Sequence, residues 1–173
     1  MRIMPKLGGR LPGSVLAMLR VGPGEKVVAW GASTAGDPTQ STVAAATHRA
    51  LYLQSTGERL PWDTIIRATW EEPVLQLTIT DGAGGPPRVL AVELDQSRDL
   101  PAAVHDRVTA SVVVSERVDL GGGAGALMVA RRGSDDGVIR WSVVFDVGLD
   151  PADPDLRQAA DEALTRLRDS LGI

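Results

Sequence analysis

The chain of 173 residues contains no cysteine, and it has one tyrosine and one phenylalanine beside four tryptophans. The lack of cysteine excludes disulfides, thiolate metal sites and cysteine nucleophiles. No apolar run approaches the ~20 residues that a membrane-spanning helix needs. Residues 1–10 also lack the apolar core of a signal peptide. These absences predict a cytoplasmic protein that is not an integral membrane protein.

The chain has only a small excess of negative charge. Its formal net charge is −4, and charges of both signs are spread along the chain. This balance excludes a broad electrostatic attraction to nucleic acid. The length fits a single domain. We therefore predict an N-terminal tail over 1–24, with a short helix between Pro12 and Arg20, and one β domain over 25–173.

Strand signals dominate the middle of the chain. Residues 74–80 alternate between apolar and polar side chains, a period of two that is typical of a half-buried strand. Turn sequences at 55–58 and 133–137 predict hairpins between antiparallel neighbours. Asp99 is the predicted N-cap of a short helix that ends near Arg107. The signals together predict strands over 25–33, 41–54, 59–71, 74–80, 88–95, 108–118, 127–131 and 138–147, with loops over 34–40 and 81–87.

The C-terminal segment over 151–171 predicts one amphipathic helix. Asp150-Pro151 and Asp153-Pro154 each combine a capping residue with a first-turn proline. Because an isolated helix of this length is only marginally stable, we expect its apolar stripe to pack on the face or open end of a sheet. The stripe recurs at intervals of three and four residues: Leu156, Ala160, Ala163, Leu164, Leu167 and Leu171.

A glycine-rich segment offers one specific ligand motif. Gly121, Gly123 and Ala126 satisfy the G-x-G-x-x-A pattern of dinucleotide-binding turns, and Asp146 follows at about the spacing of a ribose-binding acid. In such sites a helix N-terminus binds the pyrophosphate. Here that helix would have to run through the turn sequence at 133–137. A loop between antiparallel strands is therefore favoured, and a nucleotide- or small-molecule-binding β-barrel is the alternative.

Catalytic and metal sites have weaker signals. Ser33 lies in a sequence close to the G-x-S-x-G nucleophile elbow, but the second glycine comes one residue late. His48 and His105 lack a ligand spacing for a metal, and such histidines are more often structural. We predict no catalytic residue, no metal and no cofactor, and we regard a non-enzyme as favoured. The remaining candidates are a tryptophan that lines a pocket and a basic hairpin patch: Trp30, Trp62, Trp70, Trp141, Arg131, Arg132 and Arg140.

Two neighbouring segments carry a resemblance to a known family. The first reads Thr47-His48-Arg49-Ala50-Leu51-Tyr52, and the second reads Pro61-Trp62-Asp63-Thr64-Ile65. They resemble the second and third strands of bacterial pleckstrin-homology-like (PH-like) domains, and the overall pattern also resembles uncharacterised actinobacterial proteins. The resemblance implies a mainly β (α+β) fold. About seven antiparallel strands would form a bent sandwich or barrel, closed by the C-terminal helix.

The resemblance also bears on function. Eukaryotic relatives often bind phosphoinositides through basic residues near the first hairpin, but residues 33–40 include no lysine or arginine and one aspartate. We therefore do not expect phosphoinositide binding. Domains of this type are usually scaffolds, which implies a non-catalytic cytoplasmic module that recognises a protein or peptide. A sheet edge or the groove beside the C-terminal helix would bind it, and exposed edges would also allow a homodimer.

Overall fold

The computed structural model describes residues 11–33, 42–80, 87–96 and 99–172. By their contacts these residues fall into two compact units. The first extends to Ser111 and includes Gly133–Gly137, and the second comprises Val112–Arg132 and the chain from Val138 onward.

Ten strands and three α-helices form within the described residues. They are α1 (Gly13–Leu19), β1 (Val27–Ser33), β2 (Thr42–Thr47), β3 (Ala50–Leu53), β4 (Glu58–Pro61), β5 (Ile65–Glu71), β6 (Val74–Ile79), β7 (Arg88–Glu93), α2 (Leu100–Ala110), β8 (Val112–Gly121), β9 (Ala124–Arg132), β10 (Ile139–Phe145) and α3 (Pro154–Leu171), with a 3-10 turn at Trp62–Thr64. The mainly β composition and the C-terminal helix are confirmed. The strands lie in three antiparallel sheets, and none of these sheets closes into a barrel.

The first unit contains two antiparallel sheets. Strands β1 to β4 form one of them in chain order, and β5 to β7 form the other. In β6 the side chains of Leu75, Leu77 and Ile79 are buried whereas Gln76 is exposed, which confirms the predicted alternation. The core of the unit is mostly aliphatic and also contains Trp62; its largest side chains under 2% exposed are Leu51, Leu53, Ile65, Leu75, Leu77, Leu94, Leu100 and Val104.

The prediction of one strand over 41–54 is wrong, because two antiparallel strands form there, β2 and β3. They are joined at His48 and Arg49, where the chain reverses. Thr47 makes this reversal without glycine or proline, since its Oγ1 accepts hydrogen bonds from the backbone N–H groups of Arg49 at 3.1 Å and Ala50 at 3.0 Å. Residues 43–46 are all apolar and all buried. The sequence therefore shows no alternation of apolar and polar side chains that would indicate where the strand ends.

Helix α2 extends beyond its predicted end. Leu100, Val104 and Val108 recur every four residues, and all three are buried in the aliphatic core of the first unit. Val108 therefore belongs to the helix and not to the strand predicted over 108–118, which begins only with β8. The valine-rich sequence hides this boundary, because β-branched residues favour strands while packing can still hold them in a helix.

The second unit contains one sheet, in the order β10-β9-β8, and α3 packs against β8. Met128 in the central strand is fully buried in a cluster with Ala163 and Leu167 of α3. The docking of the apolar stripe on a sheet is thus confirmed, except for Leu171, which is 44% exposed. The hairpin predicted around 133–137 is confirmed by the antiparallel pairing of β9 and β10.

No helix among the described residues combines the length and apolar character that a membrane crossing needs. Three predicted features lie wholly or partly outside the described residues: the first ten residues of the tail predicted over 1–24, the loop over 34–40 and most of the turn over 81–87. The short helix predicted between Pro12 and Arg20 is present as α1.

Candidate functional site

The glycine motif forms a hairpin turn. Gly122 and Gly123 connect β8 to β9, and their φ angles of 61° and 83° lie in the left-handed region that two-residue hairpins require. Gly121 pairs with Ala124 across the turn, and Ala126 lies within β9. Because a strand follows the glycines, no helix N-terminus is available to bind a pyrophosphate there.

Asp146, the fourth residue of the motif, lies against Gly125. Its backbone N–H donates to the Gly125 carbonyl at 3.0 Å, and its carboxylate forms an ion pair with Arg117. A Cβ on Gly125 would come within 2.8 Å of Asp146 Oδ2, so the small residue makes room for this pair. The hydrogen bond to Asp146 raises the pKa of Arg117. The Asp146 carboxylate is thus already paired with Arg117 and is not positioned to accept hydrogen bonds from a ribose.

The other sequence candidates do not converge. His48 lies in the β2–β3 turn and His105 on α2, both exposed, whereas Ser33 is buried at the end of β1. Within the described ranges, no group of three or more His, Cys, Asp or Glu side chains is arranged to hold a metal. Arg131 is buried and pairs with Arg140 across the hairpin, while Arg132 follows it in the strand and points to the opposite face.

Trp62 is buried in a core, whereas the other three tryptophans are half-buried. Trp62 is 2% exposed, and its Nε1 donates to the Thr47 carbonyl at 3.1 Å. The other three are half-buried and pack against apolar clusters, Trp30 and Trp70 in the first unit and Trp141 in the second.

A nearly buried carboxylate, which the sequence did not reveal, organises the polar contacts of the first unit. The Glu25 side chain is 4% exposed. Its Oε1 accepts from Tyr52 Oη at 3.0 Å and Arg59 Nη2 at 2.9 Å, and its Oε2 accepts from Thr47 Oγ1 at 2.5 Å. Burial alone would raise the pKa of Glu25, but the hydrogen bonds outweigh it and hold the pKa below its ordinary value. The group is therefore ionised at neutral pH.

Arg59 links this carboxylate to the segment Gly133–Gly137. Its Nη1 and Nη2 donate to the two carboxylate oxygens of Asp135, both at 2.7 Å, in the bidentate geometry that arginine favours. Its Nε donates to Tyr52 Oη at 3.0 Å. The bond to Asp135, aided by the bond to Glu25, raises the pKa of Arg59, and the same guanidinium lowers the pKa of Asp135.

The segments that carry the family resemblance supply much of this network. Thr47 and Tyr52, from the first segment, donate to Glu25. Asp63, from the second segment, accepts from the backbone N–H of Ser134 at 3.2 Å. Both Glu25 oxygens are occupied by donors from the chain itself, so the carboxylate is not presented to a substrate. The network is a structural device rather than a reactive centre.

An open groove of about 460 Å³ lies beside α3 in the second unit; we call it the α3 groove. Leu120 and Ala124 line it from the two sides of the glycine turn, and Leu156 and Ala159 line it from the first turns of α3. These apolar side chains are half-buried and therefore still accessible to a ligand. The complete lining is Leu120, Ala124, Gly148, Leu149, Asp150, Asp153, Asp155, Leu156 and Ala159.

The connection from β10 to α3 fixes one wall of the α3 groove. Asp150 Oδ1 accepts from the backbone N–H of Ala152 at 2.9 Å. Asp153 is the N-cap of α3, and its Oδ1 accepts from the N–H groups of Asp155 at 2.9 Å and Leu156 at 3.4 Å. A proline follows both Asp150 and Asp153 and restricts the backbone further. Only Asp153 caps the helix, so α3 begins at Pro154 and not at the predicted residue 151.

The rim of the α3 groove is acidic. Asp150, Asp153 and Asp155 are exposed, and no lysine or arginine lines the groove. Within the part of the chain that the structure describes, none of the three carboxylates has an ion-pair partner. The N-terminus of α3 contributes about +0.5 charge. Since the carboxylates contribute three negative charges, the rim remains net negative.

Comparisons with family models, curated proteins and solved structures find no match to this chain. The PH-like resemblance therefore stays a prediction that rests on residues 47–52 and 61–65. Within the described residues, the α3 groove combines accessible apolar side chains with three carboxylates that are not engaged in ion pairs.

Proposed function

We propose that this protein is a non-catalytic interaction module that binds a peptide segment of a protein partner in the α3 groove. The observation that carries the proposal is the accessible apolar floor, with Leu120, Leu149 and Leu156 as its largest side chains, below a polar rim. Peptide-binding surfaces generally combine apolar contacts, which give affinity, with a few polar groups that fix orientation.

One wall of the α3 groove is ordered before a ligand binds. Asp153 caps α3, and the preceding turn is closed by hydrogen bonds from Leu149 N–H to the Asp146 carbonyl at 3.2 Å and from Asp153 N–H to the Asp150 carbonyl at 3.1 Å. A wall that is ordered before binding reduces the conformational entropy lost on binding. Burying one leucine-sized anchor contributes about 2 kcal/mol. We therefore expect transient binding rather than a permanent complex.

The non-catalytic part of the proposal draws on the state of the ionised groups. Glu25 is enclosed by donors, and Asp146 is paired with Arg117. Neither is poised as a general acid or base. The alternative, a small-molecule or nucleotide site at Gly121–Ala126, has less support. A strand follows its glycines, and the adjoining depression of about 310 Å³ is lined by the paired Arg117.

The fold family and the compartment belong to the same proposal. A run of antiparallel strands that ends in a C-terminal helix supports a PH-like relationship. The absence of cysteine from the sequence supports a cytoplasmic location.

A peptide-display selection on the purified protein tests the proposal. Ala159→Gln would fill the floor of the groove with a side chain that suits a helix. Thr165→Gln places the same glutamine side chain on an exposed part of α3 outside the groove, with loss of the hydroxyl that donates to the Asp161 carbonyl, and serves as the control. We expect selected peptides to bind the wild type and Thr165→Gln equally, and Ala159→Gln more than tenfold more weakly. A selection that yields no peptide, or only peptides that bind all three proteins equally, would refute the proposal.

A further inference from the structure

We infer that the peptide segment bound in the α3 groove carries lysine or arginine beside its apolar anchors; the inference rests on the proposed function. The three rim carboxylates lie next to the apolar floor and have no ion-pair partner among the described residues. A peptide with a cation beside an apolar anchor would therefore contact the carboxylates and the apolar floor at the same time. Complementary charge adds specificity and speeds association more than it adds affinity.

Two of the three rim carboxylates, Asp150 and Asp153, are held in place before binding. The backbone hydrogen bonds of Asp150 and Asp153 engage Oδ1 in each case, so the second oxygen of each group can accept from a ligand cation. Surface ion pairs are weak partly because both side chains must be ordered. Here the protein side is already ordered, which favours pairing with a flexible lysine or arginine.

The charges around the α3 groove disfavour ligands other than a basic peptide. The segment from Asp146 to Leu156 contains four aspartates and no lysine or arginine, and Arg117 neutralises only Asp146. An acidic peptide or a nucleic acid would be repelled by this rim. A divalent cation is disfavoured, because no group of three acidic or histidine side chains in the described ranges has the arrangement of a metal site.

Binding of three synthetic peptides tests the inference. They share leucines at the same positions, and the polar positions between the leucines hold lysine in the first peptide, glutamine in the second and glutamate in the third. Fluorescence anisotropy at low salt should rank them lysine, glutamine, glutamate in falling affinity. Each rim carboxylate should contribute about two- to fivefold in affinity. Raising the salt concentration should remove most of the difference between the lysine and glutamine peptides.

Variants that neutralise rim carboxylates test whether the preference for the lysine peptide arises at the α3 groove. Asp150→Asn and Asp155→Asn together leave the Asp153 cap in place, and asparagine can still accept the hydrogen bond that Asp150 receives from Ala152. The double variant should weaken the lysine peptide by about four- to twenty-five-fold and leave the glutamine peptide almost unchanged. Asp161→Asn with Asp169→Asn removes the same charge from exposed positions on α3 outside the groove and should have little effect.

The outcomes separate the inference from the proposed function. If the lysine and glutamine peptides bind equally, with both sensitive to Ala159→Gln, the groove binds peptides and the inference is wrong. If none of the peptides gives binding that Ala159→Gln weakens, both the inference and the proposed function fail. If calcium alone displaces the lysine peptide at micromolar concentration, the rim is a metal site and the inference is again wrong.

Discussion

Replacing Glu25 with glutamine is the sharpest perturbation of the first unit. Glutamine has nearly the same shape, but one carboxylate oxygen becomes an NH₂ group that donates instead of accepting. Thr47 Oγ1, which faces one Glu25 oxygen, already accepts from the N–H groups of Arg49 and Ala50. Tyr52 Oη, which faces the other oxygen, already accepts from Gly22 N–H and Arg59 Nε. Neither orientation of the amide therefore finds an acceptor that is not already in use.

The size of the loss in unfolding free energy depends on the contacts that Arg59 keeps after the substitution. Removing one partner of a buried ion pair typically costs about 3–5 kcal/mol. Arg59 keeps its bidentate contact with Asp135, and its side chain is 32% exposed, so its charge is not left uncompensated. We expect Glu25→Gln to lower the free energy of unfolding by about 2–3 kcal/mol, close to the loss of one charge-assisted hydrogen bond.

The same contacts predict how stability depends on pH. The folded-state pKa of Glu25 lies below its ordinary value of 4.5, so the unfolded chain binds a proton more readily than the folded one. The stabilisation is therefore complete above pH 4.5 and is lost as the pH falls through the folded-state pKa. Asp135, whose pKa Arg59 also lowers, acts in the same direction. The difference in stability between the wild type and Glu25→Gln should shrink in acid.

Guanidinium denaturation followed by tryptophan fluorescence measures this change, because three of the four tryptophans belong to the first unit. Glu58→Gln is the matched control. Glu58 forms a surface ion pair with Arg88, whose side chain is 49% exposed, so its loss should cost less than about 1 kcal/mol. Equal losses in the two variants, or a Glu25→Gln difference that does not shrink between pH 7 and pH 3, would refute the reasoning.

Three further substitutions test the second unit. Met128→Ala empties a fully buried position and should lower stability by about 2–4 kcal/mol; a thermal melt that shifts by no more than a surface variant would contradict the packing. Asp153→Ala removes the α3 cap and should cost about 1 kcal/mol, measured by circular dichroism at 222 nm; an unchanged melt would refute the cap. Gly123→Ala, at φ 83°, should cost about 1–2 kcal/mol, whereas Gly13→Ala in open space at the start of α1 should be nearly neutral; equal thermal melts would argue against the turn.

Local chemistry predicted those elements whose signals are complete within a few residues. The alternation in β6, the capped apolar stripe of α3 and the turn at Gly133–Gly137 each carry their own pattern, and the structure confirms all three. The β2–β3 reversal was missed because a threonine hydroxyl makes the turn instead of glycine or proline. The end of α2 was missed because Val108 favours a strand locally but packs in the helix.

The candidate sites depended on contacts that no short pattern encodes. Glu25, Arg59 and Asp135 are far apart in the sequence and meet only in the folded chain. Asp150 and Asp153 were visible in the sequence as predicted helix-capping residues. That they also line a groove depends on Leu120 and Ala124, which lie on the two sides of the glycine turn and border the same surface. The glycine motif pointed to this neighbourhood, although for a different reason.

Mapping of amide chemical shifts in isotope-labelled protein, titrated with the lysine peptide, tests whether the α3 groove is the binding surface. We expect saturable shifts at the glycine turn, along the Asp150–Asp155 segment and in the first two turns of α3, with the β5–β6–β7 sheet unaffected. Shifts that centre on any other surface, or that grow linearly without saturating, would mean that the groove beside α3 is not where this protein meets its partner.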